Sequence, residues 1–233
     1  KRKDQKMLIH IPNVLNDEEV QRCKKMLVES NWVDGNVTSG TQAAKMKRNL
    51  QLPEDCDEAI VIQKVILDAL SKNGLFFSAA LPKKIFPPLF NCYTGEMNTF
   101  GNHVDNAIRT LRGGGKRVRS DLSFTLFFSN PDEYEGGELV IEDTFGEQRV
   151  KLPAGDMILY PSSSVHRVEP VTSGARICSF TWLESMVREV EKRRLLFDMD
   201  MSIISLRETI GDTEDSIRFT SCYHNLLRMW SDT

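Results

Sequence analysis

Between Ile85 and Leu183 the chain breaks into short runs of β-branched and aromatic residues divided by turn formers, the texture of an antiparallel sheet. Phe124-Thr125-Leu126-Phe127-Phe128, Leu139-Val140-Ile141, Met157-Ile158-Leu159-Tyr160 and Ile177-Cys178-Ser179-Phe180 are the clearest runs. Gly136-Gly137, Gly146 and Pro153-Ala154-Gly155-Asp156 supply the sharp connections. The spacing predicts about eight strands packed as a sandwich or barrel.

Helical periodicity flanks this region. Leu8 to Pro12 reads as a short strand, and Asn16-Asp17-Glu18-Glu19 opens a helix through a capping Asn or Asp with Glu nearby. Val20, Cys23 and Leu27 then recur at helical spacing. After a polar loop from Asp34 to Thr41, a second helix is predicted from Glu54 to Asn73, with Ile60, Val61, Val65 and Leu70 inward and Gly74 as its stop. Beyond Glu184, Met186, Val190, Phe197, Met201 and Ile204 give one helix, Gly211-Asp212 a break, and Ile217, Tyr223, Leu227 and Trp230 another. This tail is expected to pack against the sandwich, and its methionines leave room for a homo-oligomer contact.

Composition excludes several function classes. The 30 Lys and Arg against 33 Asp and Glu leave a net charge of −3, so no overall positive field exists to hold nucleic acid or an anionic membrane. The longest apolar run, from Ile60 to Leu70, is interrupted by Gln63, Lys64 and Asp68, and no membrane partner is expected. Lys1 to Lys6 is basic but lacks the apolar stretch of a secretory signal. Cys23, Cys56, Cys92, Cys178 and Cys222 form no Cys-x-x-Cys pair, which argues against a disulfide framework or zinc knuckle and for a reducing cytoplasm.

Two of the four histidines sit where chemistry can use them. In His103-Val104-Asp105 the imidazole and carboxylate are two residues apart, so an extended chain points both to one face. Alone, the pair reads more readily as a surface strand with two polar residues than as a metal site. His166 follows a strand of the same β-rich region, and two sandwich strands can bring it to His103. Two His and one carboxylate are typical of non-haem Fe(II) oxygenases, because they leave neighbouring coordination positions open. Arg176 lies on the next predicted strand, with Ile177, Phe180 and Trp182 around it, so it wants a buried anionic partner.

These residues fall into an order that resembles a known family. Tyr93, His103-Val104-Asp105-Asn106, Gly136-Gly137-Glu138-Leu139, Pro153-Ala154-Gly155-Asp156, His166-Arg167-Val168-Glu169-Pro170-Val171 and Gly174-Ala175-Arg176 are similar to the prolyl-4-hydroxylase-type branch of the Fe(II)/2-oxoglutarate dioxygenases. Within it the bacterial PKHD-type hydroxylases, associated with iron uptake, match best, and the likeness runs from Met7 through Arg194-Leu195-Leu196-Phe197-Asp198 and Tyr223-His224-Asn225-Leu226-Leu227. The resemblance implies a mainly β fold, a double-stranded β-helix (jelly roll) over 7–183 with supporting helices, and a helical extension over 184–233. It implies that His103, Asp105 and His166 hold Fe(II), that Arg176 pairs with the distal carboxylate of 2-oxoglutarate, and that Tyr93 contacts the cosubstrate. With O2 the reaction gives succinate, carbon dioxide and a hydroxylated substrate, and ascorbate keeps the iron reduced. The substrate is left open: a prolyl or other side chain, a nucleobase or a small metabolite. A non-enzymatic iron-binding regulator is the reading from another class.

In one respect the chain departs from some relatives. Where they place a Tyr to assist the Arg, this sequence has Phe127-Phe128, which leaves Thr125 or Tyr93 to supply the hydroxyl. The basic, glycine-rich stretch from Arg109 to Arg119 reads as a solvated loop at the site mouth or as an anion clamp, with Arg119 the cation expected to face the pocket. His10 and His224 are expected to be structural, Asp156 a turn residue and Cys178 a buried small hydrophobe.

Overall fold

A computed structural model describes residues 8–38, 46–111, 113–143 and 146–233. The basic start of the chain, the end of the predicted 34–41 loop and Arg112 lie outside them. Eight strands form the core: β1 (Leu89–Tyr93), β2 (Thr99–His103), β3 (Leu122–Phe127), β4 (Leu139–Asp143), β5 (Gly146–Val150), β6 (Met157–Pro161), β7 (His166–Val168) and β8 (Arg176–Ser185). They fill two antiparallel sheets in the orders β6-β3-β8-β1 and β5-β4-β7-β2. Two interleaved sheets in these orders are a jelly roll. Short strands extend both: Ile9–Ile11, Leu50–Gln51 and Val33–Asp34 on the first, with Pro82–Ile85 beside β8, and Lys47–Arg48 on the second.

The first sheet is buried on both faces, which explains its unbroken apolar runs. On β3, Leu122, Phe124 and Leu126 join the outer core with Met157, Leu159, Ile177 and Leu183. Alternation sends Ser123, Thr125 and Phe127 inward. The inner core holds Tyr93, Phe127, Leu139, Ile141, Ile158, Tyr160, Val168 and Cys178.

Three helices cover the outer face. In α1 (Asp17–Glu29) Asn16 and Glu19 form a reciprocal capping box, and Val20, Cys23 and Leu27 are buried as predicted. Helix α2 (Asp57–Ser71) is shorter than predicted and turned: Ala59, Ile62, Ile66 and Leu70 face in, while Ile60 and Val61 are exposed. Apolar residues on nearly every side left the face ambiguous, and the set containing the small Ala59 packs closest. Gly74 does not simply end this helix. It begins α3 (Gly74–Ala80), whose N-cap Asn73 accepts a hydrogen bond from the Phe76 amide.

The tail is the predicted hairpin, α4 (Val190–Ile210) and α5 (Glu214–Trp230). Its inward face also differs: Leu196, Ile203 and Tyr223 are buried with Leu81 and Val187, whereas Ile204 and Ile217 are exposed. Phe197 reaches the outer core and joins the tail to the jelly roll. All five cysteines are free. Among the described residues no helix is long and apolar enough to cross a membrane.

The turn before β6 is locked to the segment leading into α1. His10 Nε2 lies 2.7 Å from Asp156 Oδ2, and the Asn13 amide donates to Asp156 Oδ1, so both residues are structural. Next to them Gly155 has φ +92°, and a Cβ there would stand 2.6 Å from the Leu15 carbonyl oxygen. Gly155→Ala is expected to destabilise the fold by about 1–3 kcal/mol, read as a lower urea midpoint with unchanged m value.

Candidate metal centre and cosubstrate pocket

The register of β2 against β7 makes His103 and His166 direct cross-strand partners, with both side chains on one face. Their rings lie 4.1 Å apart between centroids, tilted by 51°. Asp105, two residues past His103, brings Oδ2 to 3.8 Å from His166 Nε2. One ligand atom from each of the three lies within 4.8 Å of the others.

Hydrogen bonds aim this triad. His103 Nδ1 is 2.8 Å from the Gly101 carbonyl and His166 Nδ1 is 3.1 Å from the Ser164 carbonyl. A carbonyl only accepts, so each Nδ1 carries the proton and each Nε2 keeps its lone pair. Ser123 donates to Asp105 Oδ2 at 2.6 Å, which leaves Ser162 to donate to Ser123 at 2.7 Å. Phe100 stacks on His103 at 3.6 Å, and Tyr160 meets the His166 ring edge-on at 5.2 Å. Burial and the nearby His166 push His103 down to about 4, so its imidazole is neutral near pH 7.

The triad opens on a cleft lined by residues of both sheets. At its closed end Arg176 is 1% exposed, and its register partner across β8 and β1 is Tyr93. The guanidinium lies 5.3 Å from the Tyr93 ring and 5.2 Å from the Phe127 ring. Among the described residues no carboxylate pairs with Arg176, and its Nε has no hydrogen-bond partner. Tyr134, which the sequence reading passed over, interacts with Arg176 from the same core, yet its buried hydroxyl also forms no well-aligned hydrogen bond. Burial pushes the Tyr93 phenol up to about 12, so it stays protonated. Of the two hydroxyls weighed from sequence, Tyr93 lies against Arg176, while Thr125 interacts with Tyr160. A buried cation lacking an anion, beside a face of two neutral nitrogens and one carboxylate, fits a divalent metal with a chelating dianion.

Arg119 does not face this cleft. It grips Asp121 through Nε–Oδ1 at 2.7 Å and Nη2–Oδ2 at 2.8 Å, with Glu184 alongside. Among the described cations of this basic stretch, Arg109 is the one that lines the cleft. In the hairpin of Ile108–Thr110 and Arg117–Arg119, Arg109 pairs with Val118, which is buried against Phe86 and Trp182. Alternation therefore turns Arg109 toward Trp182 and Arg119 the other way. Cys178 is fully buried, and burial pushes its thiol up to about 11, as a buried hydrophobe requires. His224 is exposed on α5.

Lys47, Asn49, Asn91, Ser123 and Trp182 also line the cleft and were not anticipated. Alternating polar residues from Lys47 to Gln51 carry a weak signal, because the same pattern describes a solvated strand.

The fold and this site define an Fe(II)- and 2-oxoglutarate-dependent oxygenase, with O2 as co-substrate. Residues 88–184 match the 2OG-Fe(II) oxygenase superfamily, and residues 191–232 match the PKHD-type hydroxylase C-terminal domain. A PKHD-type hydroxylase of Saccharophagus degradans is 59% identical over 97% of this chain and 100% of its own length. The PKHD-type hydroxylase PiuC of Pseudomonas aeruginosa is 55% identical over 97% of this chain and all of its own. The chain belongs to the PKHD-type hydroxylases. Solved structures share the fold. One is a Trichoplax adhaerens prolyl hydroxylase in complex with a hypoxia inducible factor peptide, with TM-score 0.54 and 17% identity over 82% of this chain and 87% of that one. Another is HygX of Streptomyces hygroscopicus with nickel, 2-oxoglutarate and hygromycin B bound, with TM-score 0.54 and 12% identity over 80% and 86%.

Lys47 is 5% exposed, donates to the Gly35 carbonyl at 2.7 Å and to Gln51 Oε1 at 3.1 Å, and lies over the Phe100 ring. Burial, reinforced by Arg109 and opposed by Asp34, pushes it down from 10.5 to about 8. Between these values the folded chain has released a proton that the unfolded chain still binds, so stability rises with pH across that window. Urea unfolding from pH 7 to 10.5 is expected to show a component of up to about 3 kcal/mol in the wild type that Lys47→Met lacks.

Proposed function

We propose that His103, Asp105 and His166 are the Fe(II) ligands of this hydroxylase and that Arg176 binds the distal carboxylate of 2-oxoglutarate. The carrying observation is the pairing of a three-ligand face with a buried, carboxylate-free Arg176 in one cleft. With metal and cosubstrate bound, the chemistry supplied is oxidative decarboxylation of 2-oxoglutarate to succinate and carbon dioxide, coupled to hydroxylation of a substrate C–H bond.

The chain's own residues set the conditions for it. Gly101 and Ser164 hold the two imidazoles in the ligating tautomer through their carbonyls. The Ser162–Ser123 relay orients the Asp105 carboxylate, so the donor set is preorganised. Tyr93, Phe127 and Tyr134 wall the Arg176 end and exclude water, which strengthens a charge-assisted pair there. Tyr93 and Tyr134 offer protonated hydroxyls to the same anion. Phe100 and Tyr160 fix the ring planes of the histidines.

Ascorbate as reductant is carried over from the family resemblance, and a cytoplasmic location is supported by five unpaired cysteines. A homo-oligomer contact through the tail is supported by the exposure of Leu195, Ile204 and Phe219. Neither nucleic acid nor membrane is proposed as a partner.

Anaerobic titration with Fe(II) and then 2-oxoglutarate tests the site. A visible charge-transfer band is expected in the wild type, absent in His103→Ala and weakened in Arg176→Ala. A band unchanged in both variants overturns the assignment. Ser123→Ala, with the fold intact, is expected to weaken Fe(II) affinity by about 10–100-fold in an anaerobic binding titration.

A further inference from the structure

The cleft is lined by three cations, Lys47, Arg109 and Arg176, against one carboxylate, Asp105. A divalent metal and a dianionic cosubstrate cancel one another, so the loaded cleft keeps its cationic excess in a partly water-excluded space, where charge interactions are strong. Arg176 is committed to the cosubstrate at the closed end. Arg109 is half-buried, its guanidinium sits 3.6 Å over the Trp182 ring, and it forms no ion pair or side-chain hydrogen bond among the described residues. Its donor fork is held in place by the indole and left open to the cleft.

A second observation points to the same ligand. From Lys47 to Gln51 every other side chain is polar and buried, with Lys47 5%, Asn49 1% and Gln51 2% exposed, while Arg48 is exposed. Lys47 and Asn49 line the cleft. Among the described residues neither the nitrogen nor the oxygen of the Asn49 amide forms a well-aligned hydrogen bond, although Tyr93 interacts with it, and Asn91 Oδ1, also in the lining, forms none. Burying such groups without well-aligned partners is unfavourable, and a polar ligand in the cleft offsets that cost. Asn49 is held there by the absence of a side chain at Gly35, where a Cβ would lie 1.9 Å from Asn49 Oδ1.

We propose that the substrate is anionic, its carboxylate or phosphate docking on Arg109 at the rim and its adjoining polar group on Asn49 beside Lys47. This rests on the oxygenase reading of the same cleft, and it separates Arg109, a substrate-binding residue, from Arg176, which serves the cosubstrate. Neutral and cationic substrates lose the charge-assisted bonds, and cations are repelled. The depression of Lys47 by Arg109 agrees with the two cations sharing one space.

The test is calorimetric and needs no turnover. Protein loaded with Mn(II) and saturating 2-oxoglutarate, so that Arg176 is occupied, is titrated with N-acetylglycine, with its uncharged counterpart N-acetylglycinamide, and with inorganic phosphate. At least one anion is expected to bind tenfold or more tightly than the amide, with the preferred anion assigning a carboxylate or a phosphate source. Arg109→Gln is expected to abolish the preference and Arg109→Lys to retain part of it. Arg119→Gln, which alters the same hairpin away from the cleft, is expected to leave it unchanged. Anions that bind no tighter than the amide, or a preference that survives Arg109→Gln, overturn the proposal. Failure of the oxygenase reading is distinguished by the 2-oxoglutarate charge-transfer band, which is then missing from the wild type before any probe is added.

Discussion

The site depends on strand register. His103 and His166 face each other because β2 and β7 pair with those two residues opposite, and Arg176 meets Tyr93 because β8 and β1 do the same in the other sheet. Side chains alternate with a period of two, so a slip of one residue would send one of these side chains out of the cleft and a neighbour into it. The apolar partners on each strand resist that slip. On β3, Phe124 and Leu126 must reach the outer core, and alternation then turns Ser123 inward, where it donates to Asp105. Core packing and the positioning of the chemistry are one constraint here.

The cost of the arrangement lies in polar groups placed where a jelly roll would otherwise be apolar. Arg176, Lys47, Asn49, Asn91, Ser123 and Thr125 are all buried, several with unpaired atoms. The atoms left unpaired, on Arg176, Asn49 and Asn91, destabilise the free protein, and a ligand in the cleft can supply their partners. The outer core compensates: α1, α2 and α3 cover the first sheet with Leu27, Ile62, Ile66, Leu70 and Phe76 at or near zero exposure. The helices thus support the site without touching it.

Much of this was legible in the sequence. Strand runs in a double-faced sheet are continuous and apolar, so β3, β6 and β8 stood out, and the Asn16 cap marked its helix. That His103, Asp105, His166 and Arg176 come together in one cleft was legible because their residue types are specific and their order resembles a family. What was not legible turned on orientation. Ile60 and Ile62 are equally apolar, so their residue types do not say which faces in; the helix buries Ile62 with Ala59, Ile66 and Leu70. Arg109 and Arg119 lie in one basic stretch, and the pairing of Arg109 with Val118 decides which reaches the cleft. Ser123 is an ordinary strand serine until its partner Asp105, eighteen residues away, is in place.

The position of β8 has a kinetic consequence. This last core strand lies between β3 and β1 in the middle of the first sheet. During synthesis from the amino end, β1 and β3 emerge with facing edges unpaired, and they stay so until residues 176–185 leave the ribosome. Pairings this distant along the chain form slowly, and open edges invite association with other chains. The nascent protein is therefore most vulnerable just before residues 176–185 emerge, and the strand that ends that exposure also carries Arg176.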